Sequence, residues 1–122
     1  MMWIMDEIEL YRASKRYKQA LRSGNYKRAL EINRQIYESE FNRYRVLVEI
    51  RRLSEEERRE LVRGFLEGDA LTPSQAGLLI RYEGHIRKID LVVRRQQKRL
   101  ESLTNMGLRL ATHQENKSEE AK

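Results

Sequence analysis

The sequence predicts an all-α chain: a long antiparallel coiled-coil hairpin with a short N-terminal helix and a disordered C-terminal tail. Three observations predict it. Leu79, Tyr82, Ile86, Ile89, Val93, Gln96, Leu100, Leu103, Gly107 and Leu110 follow one another at intervals of three and four, apolar everywhere except Gln96 and Gly107. That is a coiled-coil seam, and a helix carrying it must bury the stripe against another helix. The composition agrees: 39% hydrophobic and 36% charged residues, with one Pro and six Gly among 122, suit long helices with charged outer faces better than a wide core. Finally, two helical stretches of similar length flank one clear turn, and a short connection makes such neighbours antiparallel.

Each element has its own local signals. Asp6 caps a first helix over about 6–22, with Glu7 and Glu9 favourable in its first turn. Ile8, Tyr11, Lys15, Tyr17 and Leu21 give it a loose apolar side. Ser23-Gly24-Asn25 ends it, because Gly24 is free to take the left-handed conformation of a helix C-terminus. Ala20, Gly24, Tyr26 and Ala29 resemble half of a tetratricopeptide unit, but one unit builds no solenoid, so this is an ordinary helix–turn–helix. A second helix runs over about 26–66. Ala29, Ile32 and Ile36, then Tyr37, Phe41, Tyr44 and Val48, mark its stripe. Ser54 followed by Glu57 is a capping-box signature, which leaves open a kink or a restart at 53–54.

The turn lies in Gly68–Gln75, where Thr72 is a cap, Pro73 a first helical residue and Gln75 the capping-box partner. The final helix covers about 74–110. At ~1.5 Å per residue the two long helices measure ~60 and ~55 Å. Residues equidistant from the turn should meet, Leu61 near Leu79 and Tyr44 near Val93 to Leu100. Residues 1–110 thus form a single helical domain, and the polar stretch 111–122 is expected to be a disordered tail.

Composition narrows the function classes. The absence of cysteine removes disulfides and thiolate metal sites. No apolar run approaches the ~18–20 residues that span a bilayer, and the opening "MMWIMDE" lacks a signal-peptide core; Met5 is an alternative start. The expected location is cytoplasmic, with peripheral attachment at the inner face of the membrane open. The net charge of +6 suits an acidic protein, a nucleic acid or an anionic membrane surface. His85 and His113 have no partner at metal-ligand spacing, and Gly64, Gly68 and Gly77 match no phosphate-cradling motif. No catalytic, cofactor-binding or metal-binding residues are assigned, and the chain is expected not to be an enzyme.

The arginines carry more information. Arg81, Lys88 and Arg95 recur every seventh residue, as do Arg87 and Arg94, with Lys98 and Arg99 extending both stripes. These cations either form a docking face for an acidic partner or brace the hairpin by pairing with acids such as Glu38, Glu40, Glu49 or Glu60. Nucleic-acid binding would need aromatics on the same exposed face. Tyr11, Tyr17, Tyr26, Tyr37, Tyr44 and Tyr82 are available, but most fall on stripes expected to be buried.

The turn and final helix also carry a family resemblance. "LEGDALTPSQAGLLIRYEGHIRKIDLVVRRQQKRL" (Leu66 to Leu100) resembles the FliJ family of flagellar export proteins and its YscO-type secretion relatives. Tyr82, Ile86, Ile89, Asp90, Gln96 and Leu100 occupy the places of the family's tyrosine, its apolar steps, its acid and its Gln-rich stretch. "FNRYR" (Phe41 to Arg45) resembles the family's Tyr-Arg step, and the match covers Phe41 to Leu103. His85 stands where the family has an aromatic, the stretch from Tyr44 to the turn is longer, and the Ser23–Asn25 break is extra. The resemblance implies a cytoplasmic export component that docks to the export ATPase and export gate and recycles chaperones. Arg81, Arg87, Lys88, Arg94 and Arg95 are the partner-binding candidates, by position and charge rather than by motif. A second stretch, "ASKRYKQALRSGNYKRALEINRQIYESEF" (Ala13 to Phe41), resembles flagellar export chaperones of the FliT and FlgN kind. That resemblance implies a chaperone holding an amphipathic helix of an export substrate.

Overall fold

In a computed structural model the described residues are 3–68 and 70–120, with side chains to residue 114. The fold is all-α, with three helices: α1 (Glu7–Arg22), α2 (Tyr26–Leu66) and α3 (Pro73–Glu120). The caps at Asp6 and Thr72 are those the sequence signals. The Asp6 carboxylate accepts from the Glu9 amide at 2.7 Å, and Glu9 reaches back to the Asp6 N–H. Thr72 and Gln75 exchange the same pair of bonds ahead of Pro73, at 3.2 and 3.0 Å. Asn25 caps α2 by accepting from the Arg28 amide at 3.1 Å. Gly24 (φ 73°) and Gly68 (φ 98°) end α1 and α2 in the left-handed region, where a Cβ would clash with the backbone. Asp69, inside the expected turn, lies outside the described residues.

Two sequence expectations move. Ser54 neither restarts nor ends a helix: α2 is continuous through it, and the serine is buried in the helix interior. The final helix also passes its expected end. Residues 111–114, assigned to the tail by sequence, are helical, and the His113 ring meets Tyr26 edge-on at 4.2 Å. No Gly or Pro follows Leu110 to stop the helix, and Leu110 is buried against Ala20 and Ala29. The helical backbone continues to Glu120, through most of the expected tail; side chains from 115 onward, and residues 121–122, lie outside the described residues.

The expected single domain over 1–110 consists of two compact units. A three-helix unit comprises Met1–Arg43 and Gln96–Lys122, and a two-helix unit comprises Tyr44–Arg95. In the three-helix unit Met5, Ala13, Ile32, Ile36 and Leu103 form one core cluster, and Ala20, Ala29 and Leu110 form another. The packed side of α1 is therefore Leu10, Ala13, Tyr17 and Ala20, whereas Ile8 and Tyr11 stay 63% and 59% exposed. Small alanines let the helices approach closely, which a search for large apolar residues overlooks. The segment before α1 is tied to α2: the Met5 N–H donates to Ser39 Oγ at 2.7 Å, and Arg43 donates to the Met5 carbonyl at 2.9 Å.

The two-helix unit is antiparallel. Arg51 of α2 pairs with Asp90 of α3, and Arg58, further along α2, pairs with the earlier Glu83 at 3.5 Å. Every seam residue from Leu79 to Val93 is buried or half-buried. On α2 the facing positions are Tyr44, Leu47, Arg51, Ser54, Arg58 and Leu61, again at intervals of three and four. Phe41 and Val48, expected on that face, are 41% and 40% exposed. The sequence stripe followed bulk, but the inward positions of α2 are partly polar because acids on α3 meet them.

A candidate cationic docking face on the two-helix unit

All the sequence-predicted site residues fall in the two-helix unit. Arg81, Arg87, Lys88, Arg94 and Arg95 lie on α3 and are exposed. Among the described residues none of them forms an ion pair. The acids named as possible braces are engaged elsewhere or left out. Glu49 pairs with Arg52, and Glu60 with Arg63 at 3.3 Å, one turn apart on α2. Glu40 is held by Arg99 at 3.1 Å, and Glu38 is exposed. Bracing thus applies to Arg99 alone among the cations of the two stripes.

The unpaired cations frame an apolar strip. Ile80 is 73% exposed and Leu91 is 54% exposed, and both sit between Arg81, Lys88 and Arg95 on one side and Arg87 and Arg94 on the other. Gly77 and Gly84 complete the strip, and a Cβ added at either would touch nothing. This outer face faces away from the seam, so α3 is amphipathic in two directions within this unit. Its charge environment is uneven. Arg87 lines a shallow hollow with Glu55, Arg58 and Glu83, so acids moderate its field.

The flanks of the hairpin show how its own charges are spent. The Tyr82 hydroxyl hydrogen-bonds Glu57, which raises the tyrosine above its ordinary value. The Arg52 guanidinium beside Glu49 holds that carboxyl below the usual range. Asp90 raises Arg51 further, leaving it fully charged. His85 is exposed. Of the tyrosines weighed for base stacking, Tyr17, Tyr26, Tyr37, Tyr44 and Tyr82 are half-buried, and only Tyr11 is exposed.

Sequence reasoning missed a buried polar cluster in the three-helix unit. Gln96 Nε2 donates to the Glu40 carboxylate at 2.6 Å and to its carbonyl at 2.8 Å. Glu40 is 2% exposed, and its second carboxylate oxygen accepts no hydrogen bond. Buried Asn33 donates to the Leu103 carbonyl at 3.2 Å, and its other amide atom lies 2.9 Å from where a Cβ on Gly107 would stand. Gln96 and Gly107 are the two non-apolar members of the seam. Each answers a polar residue on α2, and that pairing is the signal the sequence carried.

Among the described residues no cluster of three His, Cys, Asp or Glu is placed to hold a metal, and no helix is long and apolar enough to cross a membrane. Comparison with family models, curated proteins and solved structures returns no match.

Proposed function

We propose that the protein is a non-enzymatic interaction component whose two-helix unit docks to an acidic protein surface through α3. The observation that carries this reading is the set of exposed cations without ion pairs, Arg81, Arg87, Lys88, Arg94 and Arg95, around the exposed apolar strip of Ile80 and Leu91. Cations spent on bracing would be paired, and a merely solvated face would not carry Ile80 and Leu91 at its centre. Charge on the rim speeds the encounter, and the apolar strip supplies area once water leaves. The resemblance of Leu66 to Leu100 to FliJ-type proteins supplies the partner class: the export ATPase and export gate, at the cytoplasmic face of the membrane.

The test uses Lys88→Glu/Arg95→Glu, since both positions are exposed and their reversal leaves the seam intact. Binding to the export ATPase of the source cell should weaken at least about tenfold, the equivalent of ~1.4 kcal/mol. Wild-type binding should weaken as salt rises, because exposed charges are screened over ~8 Å at physiological ionic strength. Helicity and melting should stay close to wild type, exposed charges contributing little to stability. Unchanged binding in the double variant, or a duplex oligonucleotide bound more tightly than any protein partner, would sink the reading.

A further inference from the structure

The two flanks of the two-helix hairpin differ. One carries the cross-helix ion pairs Arg51–Asp90 and Arg58–Glu83, with Glu55 and Arg87 around the same hollow. At about 3.6 residues per turn, Val46, Ile50 and Leu53 of α2 and Val92 of α3 fall on the other side of the seam. All four are exposed. Their row on α2 has a covered counterpart in the three-helix unit. There Ala29, Ile32, Ile36 and Ser39 are buried beneath α1 and the segment before it. Counting on along α2 at the same three-and-four spacing, through Arg43, gives Val46, Ile50 and Leu53. The stripe that α1 covers in one unit thus recurs bare in the other, where α1 has no part.

We infer that a second copy of this chain covers this flank, so that two hairpins form a four-helix bundle about a two-fold axis. Charge supplies the argument. The apolar flank is bordered on α2 by Glu49 and Glu56 and on α3 by Lys88 and Arg95. Glu49 and Glu56 share a single guanidinium, Arg52, so that border keeps an excess of negative charge. Lys88 and Arg95 have no ion pair among the described residues. A face acidic along one edge and basic along the other is complementary to itself. A two-fold axis parallel to the helices lays α2 of one copy on α3 of the other, and each acidic edge on a basic one. An axis across the helices would set acids on acids. The levels agree as well. The pairs Arg51–Asp90 and Arg58–Glu83 show that seven residues forward on α2 is seven back on α3. Glu49 and Glu56 therefore lie level with Val92 and His85, within about one turn of Lys88 or Arg95. A hairpin with Ile86 and Ile89 as its buried apolar residues gains much from such a partner, since small scaffolds complete their cores by oligomerisation. Arg87, Arg94, Ile80 and Leu91 lie outside the bundle, so this contact differs from the outer face that meets an acidic partner.

The full chain should sediment as a concentration-dependent mixture of monomer and dimer. Ile50→Glu/Leu53→Glu should raise the dimer dissociation constant at least about tenfold. A second set of variants keeps the apolar row and changes only the edges. Glu49→Lys/Glu56→Lys and Lys88→Glu/Arg95→Glu should each be monomeric alone, because like edges then meet, and should form a one-to-one dimer when mixed. Both changes combined in one chain should restore the homodimer. All are read with no other protein present, so the result is independent of docking to an acidic partner. The chain has no cysteine, so Glu56→Cys and Lys88→Cys copies carry single thiols. A short bis-maleimide should join these two variants to one another in preference to either with itself. A chain that stays monomeric at every concentration, whether or not an added helix of another protein protects the flank, would overturn the proposal. So would a dimer indifferent to Ile50→Glu/Leu53→Glu, charge variants that remain monomeric when mixed, or equal cross-linking of like and unlike copies.

Discussion

Gly107 shows how one missing methyl group can be read as a contact. Glycine inside a helix costs about 1 kcal/mol relative to alanine, so Gly107→Ala should by itself stabilise α3. Yet the new Cβ would stand 2.9 Å from the Asn33 amide, which is buried and donating to Leu103. Moving that amide overpacks the site or breaks its hydrogen bond, at about 1–3 kcal/mol. The expected net effect is a loss of about 1 kcal/mol, read from denaturant melts. In an Asn33→Ala background the same change should become stabilising, and a stabilising Gly107→Ala in the wild type would show that Asn33 yields freely. Glu40 makes the complementary case. Gln96→Leu removes its closest donor and leaves a buried carboxylate, which should cost about 3 kcal/mol or more. Glu40→Leu/Gln96→Leu should restore most of that loss, since apolar replacement of a buried polar pair is often neutral or stabilising. A double variant no more stable than Gln96→Leu alone would mean that Arg99 and Arg43, not burial, dominate the site.

The helices differ in how much of their packing was legible. α3 announced itself through an apolar seam, and each of its predicted positions is inward. Ile89 is 6% exposed, so Ile89→Asp places an unpaired charge in the seam of the two-helix unit, costing about 3 kcal/mol or more. Helical content should fall at ambient temperature, and an unchanged melting curve would refute the register. α2 was misread in part because its inward residues include Asn33, Glu40, Arg51, Ser54 and Arg58, which no hydrophobicity pattern selects. Together with Ile36, Tyr44 and Leu47 they keep a three-and-four spacing that was present in the sequence. Its meaning depended on Glu83, Asp90 and Gln96 standing opposite. α1 was misread because alanines at its contact line carry a weak apolar signal.

At the scale of the molecule, apolar burial is concentrated in the three-helix unit, which holds both core clusters. Among the described residues of the two-helix unit only Ile86 and Ile89 are buried apolar residues, while Val46, Ile50 and Leu53 remain 38%, 40% and 46% exposed. Backbone amides open most readily where few apolar contacts hold them. Native-state hydrogen exchange should therefore be faster across 48–62 and 78–92 than across 29–36 and 100–108. Partner binding at the cationic face should slow exchange in 78–92 selectively. Uniform exchange along both long helices would mean that they open as one cooperative element.

The three helices, the caps at Asp6 and Thr72, the left-handed Gly24, the turn at Pro73 and the antiparallel register around it could be read from the chain alone. These depend on interactions within a few residues or on a period along one chain, and such information is local. Which polar side chains of α2 turn inward, which acids are already taken, and which cations stay exposed without an ion pair among the described residues emerge only when the helices pack. Packing also decided that α3 continues past Leu110, since Leu110 and His113 gain their contacts from Ala20, Ala29 and Tyr26. The physical reason is the same in each case. A charge or an amide has no preferred burial of its own, and its place depends on the group brought opposite by residues distant in the chain.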